Sequence, residues 1–214
     1  MTEGARQEIF ARIRRANTAA TATPIRSHPI PARARGTATE LRERFVAMAR
    51  EAAATVDHVE SLNALPSAVR SFLDQEGLPR TVTLAPKSTL RSISWAPDVD
   101  AGEGPIEASD AVAVTTAFAG IAETGTLLVH SGPQNPNRLH FLPETHIAVL
   151  PAEAIVGGYE DAWTRIVERF ETLPRSVTLI TGPSRSSDIE RQVQIGVHGP
   201  RRLHIVLYDG QERR

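Results

Sequence analysis

Short apolar runs alternate with amphipathic helical stretches along most of this chain, and that alternation constrains the fold more than any other feature. TVTLAP (81–86), HIAVLP (146–151), VTLIT (177–181) and LHIVLYD (203–209) are strand-like runs, and Thr55 to Glu60 alternates in the same way. Between them lie helical patterns. Thr39 to about Ala54 carries Leu41, Phe45, Met48 and Ala52 on one face, and Leu65 to Glu76 runs into Gly77 with Pro79 beyond it. Tyr159 to Leu173 places Trp163, Ile166, Val167 and Phe170 on one stripe. Strands alternating with helices in this manner indicate an α/β fold, a mostly parallel sheet with helices on both faces. Residues 112–131 contain two apolar runs with a short connection, so an antiparallel or mixed segment is expected there. PDVDAGEGPIE (97–107) reads as a loop.

The chain has 214 residues, enough for one substantial domain with an extra arm. Residues 3–16 place Ile9, Phe10 and Ile13 at helical spacing, whereas 17–38 are rich in Thr, Ala, Pro and Arg. The expected division is therefore a helix with a flexible basic linker over 1–38 and the α/β domain over 39–214. Seven arginines face only Glu3 and Glu8 across 1–38, which suits either a solvated tail or an arm that touches an acidic partner. No cysteine is present, which excludes a disulfide framework, a thiol nucleophile and a cysteine-ligated iron–sulfur cluster in these residues. A formal net charge of −1 gives no global field toward nucleic acid. The run Ala111 to Ala122 is too short and too interrupted to span a bilayer, and the N-terminus lacks an apolar leader core. A cytoplasmic protein without a membrane span is expected.

Chemistry concentrates in a few segments. VTLITGPSRSSDIE (177–190) reads as strand, turn and helix start, with Ser187 and Glu190 spaced as a capping box. Free backbone amides there, with Ser184, Arg185 and Asp188, would suit an anion beyond a strand's carboxyl end; the alternative is a well-capped turn with Arg185 in water. In AGIAETGTL (119–127), Glu123 lies between apolar runs beside Thr124, Gly125 and Thr126. It is either a buried nucleophile or base, or an exposed residue of a tight hairpin in which Gly125 supplies positive φ. The loop 131–146 offers Arg138, His140 and His146, and GVHGP places His198 between glycines ahead of a strand. Lys87, the only lysine, follows a strand and reads by default as a solvated loop residue. Nucleophile-elbow, P-loop and zinc-protease motifs are missing, and the histidines lack zinc-ligand spacing, so no metal site is expected.

Taken together, GIAETGTLLVHSG, RLHFLPETHIAVLP, TGPSRSSDIE and GVHGPRRLHIVL resemble the lactate utilization protein C type of LUD-domain proteins. The likeness is dense over Asp110 to Asp209 and thinner over 39–109. It implies a Rossmann-like fold of the sugar-isomerase and CoA-transferase type. It also implies a part in bacterial oxidation of L-lactate to pyruvate beside partner proteins that hold iron–sulfur clusters, with no cofactor carried by this chain. Carried over by motif, Glu123 and His198 become the candidate catalytic groups. Thr124, Gly125, Thr126, Arg138, Ser184, Arg185 and Asp188 become the candidate contacts to a small carboxylate. Two other functions stay open: a stand-alone enzyme acting on a phosphorylated or CoA-linked molecule, and a non-catalytic assembly subunit.

Overall fold

A computed structural model describes residues 3–19, 29–104, 106, 112–186 and 194–210. Its contacts divide the chain into Met1–Ile30 and Pro31–Arg214. The described residues of the first unit form α1 (Glu3–Ala19), with Ile9, Phe10 and Ile13 about half exposed. Within it, Arg12 pairs with Glu8 at 3.0 Å, and Arg6 lies over the Phe10 ring.

The second unit begins with a short 3-10 turn, Ala32–Ala34, and α2 (Ala38–Glu51). The Thr37 hydroxyl accepts from the Glu40 N–H, and the Glu40 carboxylate accepts from the Thr37 N–H, so the helix starts at a complete capping box. Next come β1 (Thr55–Val59), α3 (Leu65–Glu76), β2 (Thr81–Leu84), α4 (Ser88–Arg91), β3 (Asp100–Glu103) and β4 (Val112–Thr116). They are followed by β5 (Ala119–Ile121), β6 (Thr126–His130), α5 (Arg138–Phe141), β7 (Thr145–Pro151) and β8 (Ile155–Val156). The remaining elements are α6 (Tyr159–Arg169), β9 (Val177–Ile180), β10 (Arg185–Ser186), β11 (Gln194–Ile195) and β12 (Arg202–Tyr208).

The expected parallel sheet is present. It has six strands in the order β1-β12-β7-β4-β2-β3, and every neighbouring pair runs parallel. Successive residues of its central strands enter two different cores, which is why those runs look apolar throughout. Ile147 and Val149 of β7 pack on the α3 side with Leu65, Val69 and Phe72. Ala148 and Leu150 point the other way, toward Phe45 and Ala49 of α2. The antiparallel segment anticipated at 112–131 forms a separate four-stranded sheet, β8-β5-β6-β9, in which β6 pairs antiparallel with both β5 and β9. Leu127 and Val129 of β6 join the α2 core, and Leu128 joins a third cluster with Ile166 of α6.

Three expectations need adjustment. Residues 100–103 form an edge strand, not loop; DAGE has no apolar pattern, and the strand is recognised by its parallel ladder to β2. Trp163 and Val167 are 50% and 48% exposed, so α6 rests on the narrower face of Ala162 and Ile166. The compact unit starts at Pro31, earlier than residue 39, because Ala34 is buried and Arg33 reaches an acidic partner 90 residues away. The helix expected from Ser187 lies outside the described residues. Among the described residues, no helix is long and apolar enough to cross a membrane.

Candidate functional site

Strand β9 leads into the turn Gly182–Ser184, which must bend close to α2. Gly182 has φ +68°, and a Cβ there would lie 2.0 Å from the Ala52 carbonyl oxygen, so only glycine fits. Ser184 then ties this turn to the segment before β12. Its N–H donates to the Pro200 carbonyl at 2.9 Å, its carbonyl accepts from Gly196 N–H, and its hydroxyl accepts from His198 N–H at 3.3 Å. Arg185 and Ser186 pair antiparallel with Ile195 and Gln194 as a small ribbon. This arrangement brings Ser184, Arg185 and His198 to the wall of one cavity of about 250 Å3.

Two buried histidines complete that wall. His140 from α5 and His146 from the start of β7 both line the cavity, with ring centroids 5.4 Å apart. Asn135 fixes the protonation of His140. Its Nδ2 donates to the carbonyls of Thr116 and His130, so its Oδ1 accepts from His140 Nε2. His140 therefore carries its proton on Nε2, and Nδ1 is left as a bare acceptor with no protein partner among the described residues. His146 bonds Thr115 Oγ1 through Nε2 at 2.8 Å, and its Nδ1 is likewise unpartnered. Burial, helped by His130, lowers the pKa of His140 to about 4. Burial and then His140 hold His146 well below the ordinary histidine range. Both rings are thus neutral near pH 7, and among the described residues lining the cavity Arg185 is the one with a permanent charge. One cation beside neutral hydrogen-bonding rings suits a small monoanion with a further polar group.

The other candidates lie elsewhere. Glu123 is 7% exposed and accepts from Arg33 Nε at 2.9 Å. The hairpin reading foresaw the positive φ of Gly125, +66°, but not the burial of Glu123. A Cβ on Gly125 would lie 2.1 Å from the Ala49 backbone nitrogen, so its glycine serves close approach to α2. Thr124 and Thr126 join Tyr159 and Thr181 in a hydroxyl network with contacts of 2.7–3.1 Å. Of these, Thr181 alone also lines the Arg185 cavity. Arg138 donates to the Ile106 carbonyl at 2.9 Å and lines a different hollow of about 480 Å3 with Glu103 and Pro136. Asp188 lies outside the described residues. Among the described residues, no group of three or more histidines and carboxylates is placed to hold a metal.

The turn lies beyond the carboxyl end of β9, as expected, but β9 belongs to the small sheet, and the cavity opens at the amino ends of β7 and β12, marked by His146 and Leu203. His140 and His146 were visible in sequence as loop residues. Their convergence with Arg185 depends on the register of β7 beside β12, which no local pattern reveals.

Residues 106–208 match the LUD domain family. A lactate utilization protein C from Geobacillus thermodenitrificans is 38% identical over 114 residues, covering 50% of this chain and 48% of that protein. Another, from Geobacillus sp. strain WCH70, is 36% identical over 143 residues, 64% of this chain and 58% of that one. The Bacillus subtilis lactate utilization protein C is 35% identical over 118 residues, 53% and 49% of the two chains. The chain thus spans about half the length of the curated relatives it matches. Among solved structures, a DUF162 family protein from Deinococcus radiodurans is similar in fold, with a TM-score of 0.61 at 21% identity over 81% of this chain and 99% of that one. Family match and relatives agree: residues 106–208 match the LUD domain, and the chain is similar there to proteins named lactate utilization protein C.

Proposed function

We propose that this protein acts in the oxidation of L-lactate to pyruvate, by binding a small 2-hydroxy or 2-oxo carboxylate in the cavity lined by Ser184, Arg185 and His198. The observation that carries the reading is the charge pattern of that cavity: one guanidinium, two neutral imidazoles and a serine hydroxyl. Arg185 receives the carboxylate, for which its planar fork is matched. Oxidising the hydroxyl releases two protons and two electrons. In this reading His198, at the rim, accepts the hydroxyl proton, while the Cα hydrogen leaves with its electron pair to a two-electron acceptor supplied by a partner protein. The chain has no cysteine to ligate an iron–sulfur cluster, and in this reading the electrons pass on to the clusters of partner proteins. Glu123, a candidate base by its motif, instead anchors the Arg33 segment.

Deletion of the gene in its host tests the proposal. Growth on L-lactate as sole carbon source is expected to stop while growth on glucose continues. A wild-type copy should restore it and an Arg185→Ala copy should not. Undiminished growth on lactate after deletion would refute the assignment.

A further inference from the structure

Four hydroxyl groups meet at the amino end of α6. Tyr159 opens that helix, Thr126 opens β6, Thr124 lies in the β5–β6 turn, and Thr181 directly follows β9. Thr126 Oγ1 lies 2.7 Å from Thr124 Oγ1, 3.1 Å from the Tyr159 hydroxyl and 2.7 Å from Thr181 Oγ1. Thr124 Oγ1 in turn lies 2.8 Å from the Tyr159 hydroxyl. Thr124, Thr126 and Tyr159 therefore form a closed ring, to which Thr181 is attached at Thr126.

Each hydroxyl donates one hydrogen, so the four groups have four hydrogens for four contacts. Thr126 is fully buried, and its hydrogen must go to one of its three neighbours. Were Thr126 to donate to Thr181, it would accept from both Thr124 and Tyr159. Those two oxygens would then face each other at 2.8 Å with no hydrogen between them. Every contact holds a hydrogen only when the three ring members donate in turn around the ring and Thr181 donates into it, to Thr126. The hydrogen of Thr181 is thus committed to the interior, and its oxygen is left as an acceptor.

Of the four, Thr181 alone lines the Arg185 cavity, and what it offers there is a lone pair, not a hydrogen. Donors lie in the turn just beyond it: Arg185, and Ser184, whose hydroxyl accepts from the His198 N–H and keeps its own hydrogen. Resting on the reading that Arg185 receives a carboxylate in this cavity, we propose that Thr181 is a specificity-determining residue, which accepts the 2-hydroxyl of a hydroxy acid and turns away the 2-oxo form. Tyr159 is the positioning residue that closes the ring and so holds Thr181 in its accepting state. A 2-oxo group has lone pairs only and would meet the Thr181 oxygen acceptor to acceptor. The bond to Thr181 belongs to the bound acid; rotation about the C–O bond then turns the hydroxyl proton to His198.

Calorimetric titration of the full chain with L-lactate and with pyruvate tests this, in the wild type and in Arg185→Ala, Thr181→Val, Thr181→Ser and Tyr159→Phe. The wild type should bind L-lactate about tenfold or more tighter than pyruvate. Thr181→Val keeps the shape, loses the acceptor and should bring that ratio near one, while Thr181→Ser should retain it. Thr181 is exposed, so these replacements leave the fold intact. Tyr159→Phe should also bring the ratio toward one: with the ring open, Thr126 can accept from Thr124 and donate to Thr181, which regains a hydrogen for the cavity. A purely structural role would weaken both acids alike. Equal affinities in the wild type, tighter binding of pyruvate, or a ratio that survives either Thr181→Val or Tyr159→Phe would overturn the proposal and leave the Arg185 site standing. Binding of neither acid, or binding indifferent to Arg185→Ala, would overturn the reading of the cavity and this proposal with it.

Discussion

Gly125→Ala separates a glycine needed for packing from one needed for a ligand. The change imposes two costs. Its φ of +66° lies in the left-handed region, where a side chain costs about 1–2 kcal/mol. The new Cβ would also stand 2.1 Å from the Ala49 nitrogen and 2.6 Å from its Cα, so the β5–β6 hairpin or α2 must shift. Overpacking of that kind adds about 1–3 kcal/mol, for a total of about 2–5 kcal/mol. Gly77→Ala is the internal control: its φ is +64°, but nothing lies within 4 Å of the point its new Cβ would occupy. It should cost only the backbone share, about 1–2 kcal/mol. At about 2–4 °C per kcal/mol for a domain of this size, the additional cost of overpacking should lower the melting temperature of Gly125→Ala by roughly 2–12 °C beyond that of Gly77→Ala. Differential scanning calorimetry of both variants measures this directly. Equal losses would show that the close approach to α2 does not constrain the turn, and would reopen a ligand-cradling role for Glu123 to Thr126.

Arg33→Ala leaves the buried Glu123 without its partner and should destabilise the fold by about 1–2 kcal/mol, moderated by the exposure of Arg33 itself. By the same logic a chain beginning at Pro31 should melt with the full chain, whereas one beginning at Thr37, lacking Arg33 and the buried Ala34, should melt lower; coincident melts for all three would refute the anchoring role. Acid should weaken the fold through its buried histidines. His140 and His204 are lowered by burial to about 4, and burial holds His146 well below the ordinary histidine range. Since the unfolded chain binds these protons near pH 6.5 and the folded chain does not, stability is full above pH 6.5 and declines toward pH 4, by up to about 1.4 kcal/mol per pH unit for each histidine. Urea midpoints at pH 7 and pH 5 check this, and equal midpoints would contradict it.

The parts of the fold legible in sequence were those in which side-chain pattern and backbone element coincide. Strands β7 and β12 bury both faces and so announce themselves as apolar runs, and Leu65–Glu76 stops at a glycine that is indeed left-handed. Strand β3 was illegible because an exposed edge needs only backbone pairing. Trp163 and Val167 misled because helical spacing reports a possible face, not which part of it the small sheet covers. Ser184, Arg185 and His198 could be read as one neighbourhood from motif likeness. The separation of Glu123 from them could not, since it rests on an arginine 90 residues earlier. Lys87 escaped local pattern for a related reason: its partner Thr116 lies on another strand, 29 residues on.

Binding of L-lactate and pyruvate to the purified protein, compared with Arg185→Ala, tests the central claim most directly. Calorimetry should show saturable binding of at least one of the two acids, and the substitution should weaken it about tenfold or more, as loss of a charge-assisted pair requires. Affinity that survives Arg185→Ala but falls with Glu123→Gln would place the carboxylate at the 123–126 turn and contradict the account.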